Sequence, residues 1–106
     1  MKLLIARHGQ ASSNAESDRE RPLTLNGIAT TEALLDRYLS DLEQVQCIWS
    51  SDLKRALETA SIYADKLGLE VEVKNFLSPD GDPNTVLKKL QAFDSDAVVL
   101  IMSHQP

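Results

Sequence analysis

The sequence predicts an α/β fold, a three-layer sandwich in which a mostly parallel sheet carries helices on both faces. Three observations lead there. Short apolar runs alternate along the chain with stretches of helical periodicity, which implies crossover units. The run Ala97 to Ser103 is continuous and rich in β-branched residues, as befits a strand buried on both faces. No internal repeat, low-complexity tract or interdomain linker interrupts the 106 residues, which are enough for one domain and its modest core.

The elements follow in order. Lys2 to Arg7 reads as a buried strand, and a polar loop runs from Gln10 to Arg21. Leu25 to Leu42 places Ile28, Leu34, Leu35, Tyr38, Leu39 and Leu42 mostly three or four residues apart, a helical stripe with Thr24 ready to cap it. Val45 to Ser50 is a second short strand. Asp52 to Leu67 is the clearest helix, since Leu53, Ala56, Leu57, Ala60, Tyr63, Ala64 and Leu67 share one face. Gly68 stands where a helix C-terminal glycine belongs. Glu70 to Leu77 alternates Val71 and Val73 before Phe76-Leu77 and predicts a third strand. Asp82-Pro83 combines an N-cap with proline at the first helical position, opening a helix through Val86, Leu87, Leu90 and Phe93. Ala97 to Ser103 is the fourth strand.

Composition narrows the function classes. Hydrophobic residues make up 42% and charged residues 25% of the chain, as in a soluble globular protein. The net charge of −5, with no basic run, argues against nucleic acid as a partner. An anion site must then be a local cluster of arginines on an acidic background. Cys47 is the one cysteine, so no intramolecular disulfide can form, and a packed thiol fits a reducing compartment. Leu3 to Ala6 is too short for a signal peptide's apolar region, and no run approaches a membrane span. A cytoplasmic location without membrane association is expected.

Ligands of open parallel sheets bind beyond the carboxyl ends of the strands. There the sequence places Arg7-His8-Gly9 after the first strand, Ser50, Ser51 and Arg55 after the second, and His104 after the fourth. These are the only two histidines, and each ends an apolar run. A shared site is the economical explanation. A neutral imidazole beside a fixed positive charge is a ready nucleophile for phosphorus. Taken singly, a histidine at a strand end is more often a surface or hydrogen-bonding residue, and an arginine in a helix's first turns is usually solvated. Ser50 and Ser51 lack a serine-hydrolase elbow and read as loop or cap residues. Lys54, Lys88 and Lys89 read as solvated helix faces. Two histidines distant in sequence, with no His-x-x-x-His or cysteine pair, do not make a metal site.

Four motifs in order carry a family resemblance: Arg7-His8-Gly9, then Pro22 to Gly27, then Ser50 to Ala60 with Arg55 inside it, and finally Met102-Ser103-His104-Gln105-Pro106. Together they resemble the histidine phosphatase superfamily, with its phosphoglycerate-mutase-like fold. Ser17-Asp18 through Thr24, Leu77-Ser78-Pro79 and Gly81-Asp82 are most similar to the small, cap-free phosphohistidine phosphatases of the SixA type. Asn14, six residues after His8, is instead similar to the mutase branch.

The resemblance implies a reaction without metal or other cofactor. His8 would attack phosphorus and carry the phosphoryl group transiently, and Arg7 and Arg55 would clamp its oxygens, the geometry guanidinium suits best. His104 would donate a hydrogen bond to the same oxygens, and Arg21 is a further candidate for that pocket. Mutase-like members place a glutamate after the third strand to protonate an oxygen leaving group; here Pro79 stands at that place, with Asp18, Asp80 or Asp82 as possible donors. A missing acid favours a phosphoramidate, because imidazole leaves far more readily than an alkoxide. Short connections leave no insertion for a lid, which suits a histidine presented on a protein surface. The implied partner is a phosphohistidine-containing signalling or phosphotransfer protein in a phosphorelay, the substrate an HPt-type domain. A mutase-like phosphatase of small phosphate esters is the alternative enzyme, and a catalytically dead phosphate-binding fragment the non-enzyme one. Members of the family continue past the Ser-His-x-Pro segment, so residues 1–106 are expected to be one histidine-phosphatase domain, incomplete at the C-terminus and without its last helix and strand.

Overall fold

The computed structural model describes residues 2–92 and 96–103. Strands β1 (Lys2–Arg7), β2 (Cys47–Ser50), β3 (Val71–Val73) and β4 (Val98–Ser103) alternate with helices α1 (Leu25–Arg37), α2 (Leu39–Leu42), α3 (Lys54–Leu67) and α4 (Pro83–Leu90). The strands form one parallel sheet in the order β1-β4-β2-β3. Two crossovers carry the chain from β1 past β2 to β3, and the third reverses it to insert β4 beside β1. Parallel crossovers share one hand, so the reversal sends α4 to the face opposite α1 and α3. The expected three layers result.

Side-chain alternation along β4 feeds both layers. Val98, Leu100 and Met102 join Leu35, Leu42, Ile48, Ala56 and Ala60 on one face. Val99 and Ile101 join Trp49 and Leu90 on the other, where Phe76 and Val86 also pack. None of the five is more than 8% exposed, so β4 is the doubly buried strand that its sequence predicts. Burying each such side chain contributes about 1.5–3 kcal/mol of transfer free energy.

Several boundaries differ from the sequence expectation, each for a local reason. The helix expected over Leu25 to Leu42 breaks at Tyr38, whose φ of −108° and ψ of 19° leave the helical region; α2 then restarts on the Tyr38 carbonyl. The break lets Leu42 reach the core while Tyr38 stays 47% exposed. Helix α3 begins at Lys54 rather than Asp52, because Leu53 is extended at ψ 136° and buries its side chain under the first turn. The third strand ends at Val73, and Asn75–Leu77 form a 3-10 turn instead. That turn swings Phe76 edge-on against Trp49, at 5.7 Å between ring centroids, rather than leaving it on an edge strand. Gly68 adopts the left-handed φ of 70° expected of it. Thr24 caps α1 by accepting from Gly27 N–H at 2.9 Å, and Asp82 caps α4 by accepting from Asn84 N–H at 2.9 Å. Phe93 lies outside the described residues.

The register sets the strand ends side by side. Arg7 pairs with Ser103, and Trp49 with Ile101, so β1, β4 and β2 finish along one rim. The loop leaving β1 then rests on α1, where a Cβ at residue 27 would stand 2.3 Å from the Gln10 carbonyl oxygen and 2.9 Å from its nitrogen. Alanine for glycine inside an ordinary helix gains about 1 kcal/mol. Here the backbone clash reverses the sign, and Gly27→Ala is expected to lose about 1–3 kcal/mol in urea unfolding. A stabilised variant would show that the loop does not lie on the helix. Removing the α1 cap by Thr24→Ala is expected to cost about 1 kcal/mol by the same measurement.

Candidate active site

The chain leaves the sheet at His8, whose N–H donates to the Ser103 carbonyl at 3.4 Å and so extends the β1–β4 ladder by one step. Gly9 then passes between two helices. Its N–H donates to the Thr59 hydroxyl at 3.0 Å on α3, and a Cβ at this position would stand 2.8 Å from Thr31 Oγ1 and 2.9 Å from the Gly27 carbonyl oxygen on α1. Only glycine fits there without displacement. The His8 Nδ1 lies 2.8 Å from the Gly9 carbonyl oxygen. A carbonyl only accepts, so Nδ1 carries the proton of this bond, and the lone pair of the neutral ring is on Nε2.

Beyond Gly9 the loop is tied down by backbone. Thr24 N–H donates to the Gln10 carbonyl at 2.9 Å, Ser12 N–H to Pro22 at 2.7 Å, and Ala11 bridges Leu23 in antiparallel fashion. The Glu58 side chain of α3 accepts from Leu23 N–H at 2.8 Å. The loop thus comes back along itself and delivers Asp18 and Arg21 above the amino end of α3.

Arg21 fans its guanidinium over the loop. Its Nε donates to the Ser12 carbonyl at 2.8 Å, Nη2 to Ala11 at 3.4 Å, and Nη1 to Asp18 Oδ1 at 3.0 Å. Arg55, only 7% exposed, reaches the same aspartate from below. Its Nη1 donates to the Asp18 carbonyl at 2.9 Å and Nη2 to Oδ2 at 3.3 Å. One carboxylate therefore sits between two guanidiniums. The Arg21 hydrogen bond, followed by the Arg55 charge, holds the Asp18 carboxyl below its ordinary pKa. A further ion pair at 2.5 Å, Arg19 with Asp52, fastens the same turn to the β2–α3 connection.

Arg7, His8 and Arg21 line one hollow of about 490 Å³ together with Gly9, Thr30 and Tyr63. Among the described residues no carboxylate forms an ion pair with Arg7, which is exposed at the rim. The structure thus gathers Arg7, His8 and Arg21 around one space and joins Arg55 to Arg21 through Asp18. His104 lies outside the described residues, one position beyond Ser103, the residue paired with Arg7. Ser50 and Ser51 are fully buried, with Ser50 Oγ donating to the Ser51 carbonyl at 2.9 Å, and they shape the β2 terminus.

Two further residues act here that the sequence does not single out. Thr59, four positions after Arg55, lies one turn further along α3 on the side that meets the loop; Glu58 holds Leu23. A helix-interior threonine or glutamate carries no signal by itself. Both stand inside the Ser50 to Ala60 motif, and Thr59 follows Arg55 by one helical turn, which is the signal the sequence offers for them.

Comparison with known proteins places the chain in a family. Residues 3–78 match the model of the histidine phosphatase superfamily, branch 1. The whole chain aligns, at 34% identity, with 68% of the phosphohistidine phosphatase SixA of Escherichia coli strain K12. Two thirds of it (66%) aligns at 39% identity with 32% of the phosphoglycerate mutase-like protein 4 of Arabidopsis thaliana. The solved structure of the protein histidine phosphatase SixA complexed with tungstate superposes on the whole chain with a TM-score of 0.90 and 34% identity, the chain covering 70% of it. The order of motifs, the parallel sheet and these matches agree, and the chain belongs to the histidine phosphatase superfamily.

Proposed function

We propose that the chain is a phosphohistidine protein phosphatase that removes phosphate from a phosphohistidine-carrying phosphotransfer domain of the HPt type through a covalent intermediate on His8. The observation that carries this reading is the 2.8 Å contact of His8 Nδ1 with the Gly9 carbonyl, which leaves the lone pair on Nε2 at the end of a rigid strand. Nε2 attacks phosphorus, a new P–N bond forms, and the P–N bond to the partner's imidazole breaks. The departing imidazole takes its proton from solvent. Water then cleaves the phosphohistidine on His8 and releases inorganic phosphate. Arg7, Arg21 and Arg55 neutralise the equatorial oxygens, and His104 donates a hydrogen bond to them. Phosphoryl transfer asks chiefly for such positioning and charge.

Supporting this reading, the E. coli relative is a phosphohistidine phosphatase, and the related solved structure holds tungstate, a tetrahedral oxyanion shaped like phosphate. The Asp18 carboxylate bridging Arg21 and Arg55 marks an anion position that a phosphoryl oxygen would take over.

The acid candidates favour nitrogen as the leaving atom. Asp82 is engaged in capping α4, and the Arg21 hydrogen bond and the Arg55 charge hold the Asp18 carboxyl below its ordinary range, which makes it a poorer proton donor. Asp80, whose charge reaches Arg19, is left as the carboxyl of the β3–α4 loop. A phosphate ester needs a proton donor at its oxygen, whereas phosphohistidine does not depend on one to the same degree. Action on small phosphate esters is the second reading, favoured by the match to the Arabidopsis mutase-like protein.

Incubation with a phosphotransfer domain labelled on histidine tests the reading. Release of label is expected from the wild-type chain, faster than hydrolysis of p-nitrophenyl phosphate, and none from His8→Ala. Faster ester hydrolysis would favour the second reading, and label loss without His8 would refute the nucleophile. Arg55→Ala is expected to lower kcat by roughly 10²-fold or more. The Asp18 clamp has its own signature in a carboxyl NMR titration. Because the folded value is depressed, the ionised clamp is complete above the ordinary aspartate pKa of about 3.9 and is lost as pH falls through the lower folded value. Arg21→Ala should move the midpoint upward; an unmoved midpoint would mean that Arg21 does not hold the carboxylate.

A further inference from the structure

We propose that Thr59 is a positioning residue for His8, fixing through Gly9 the tautomer and ring orientation that the attacking imidazole needs. The proposal rests on the reading of His8 as nucleophile and names what holds it. Three hydrogen bonds run in series. The Thr59 hydroxyl donates to the Arg55 carbonyl at 2.7 Å, its oxygen accepts from Gly9 N–H at 3.0 Å, and the Gly9 carbonyl accepts from His8 Nδ1–H at 2.8 Å.

A threonine inside a helix commonly bonds back to the carbonyl four residues earlier, and nothing more follows from that bond alone. Here the same hydroxyl also accepts from a residue 50 positions away. With its single proton committed to Arg55, the oxygen meets Gly9 only as an acceptor, which matches the donor that Gly9 offers. Thr59 is fully buried, so water has no access to replace the hydroxyl. Thr31 Oγ1 and the Gly27 carbonyl oxygen would meet a Cβ on Gly9 at 2.8 and 2.9 Å, so a residue with a side chain cannot take this place without displacement. Gly9 is thereby located between a hydroxyl of α3 and the backbone of α1, and its carbonyl presents a fixed acceptor to the imidazole. The first link ends on the backbone of Arg55, so one helical turn positions both the nucleophile and a phosphate-clamping guanidinium.

Thr59→Val removes the hydroxyl at nearly constant volume, and Thr59→Ser restores it. Nitrogen-15 NMR of the wild-type ring is expected to show His8 as the Nδ1–H tautomer, with slow exchange of the Gly9 amide proton. In Thr59→Val the two tautomers should mix, the Gly9 amide should exchange faster, and kcat on the phosphorylated domain should fall about 10²-fold with little change in KM, as for a misplaced reactive group. Thr59→Ser should return all three towards wild type. Unchanged nitrogen shifts and kcat in folded Thr59→Val would overturn the proposal. If Thr59→Val does not fold, the wild-type chain still decides, because an Nε2–H tautomer or a fast-exchanging Gly9 amide would overturn it. The nitrogen and exchange measurements need no substrate. A ring held as Nδ1–H through Thr59, in a chain without His8-dependent turnover, would therefore refute the proposed function and leave the positioning intact.

Discussion

Where residue 27 lacks a side chain, the Gln10 backbone comes so near α1 that a Cβ would meet its carbonyl oxygen at 2.3 Å. That approach allows Gln10 to accept from Thr24 N–H, which starts the helix and stops the loop in the same place. Gly9 repeats the device one residue earlier, wedged between Thr31 and Thr59. Two missing methyl groups thus let a loop, which would otherwise stand off from the helices, become part of their packed layer. His8 inherits the rigidity of both helices without belonging to either.

Charge acts on this frame rather than building it. Asp18 is largely exposed, with its side chain 67% accessible, and exposed ion pairs contribute little to stability. Their value is in direction. Arg21 is already held by two loop carbonyls and Arg55 by the Asp18 carbonyl, so both guanidiniums keep backbone anchors whatever anion stands between them. In a chain of net charge −5, such anchoring concentrates positive potential in one place and keeps it from being dispersed among the many surface carboxylates.

Much of this was legible in the residues. Periodicity located all four strands and the main helices, and the doubly apolar Val98 to Met102 announced the central strand. The Thr24 and Asp82 caps and the left-handed Gly68 followed from single residue types. The break at Tyr38 was hidden because the apolar stripe continues through it, and only packing against the core decides that α2 must turn. Phe76 and Leu77 have strand-forming side chains, yet burial against Trp49 and Val86 outweighed that propensity. The motifs single out Arg7, His8 and Arg55 as candidates, but the double use of Asp18 and the hydroxyl relay through Thr59 arise from contacts between segments 37 and 50 residues apart. Local pattern carries no record of such contacts.

The placement of β4 has a kinetic consequence. β1 precedes β2, β3 and β4 in the chain, yet its one strand neighbour among the described residues is β4, with Lys2 facing Val98 and Arg7 facing Ser103. During synthesis β1 emerges before two other strands and all four helices, and only then does its partner follow. Pairing across such a separation forms slowly, since a long loop must close before any contact rewards it. His8, one step past the end of β1, thus takes its place on the rim only once the long loop to β4 has closed.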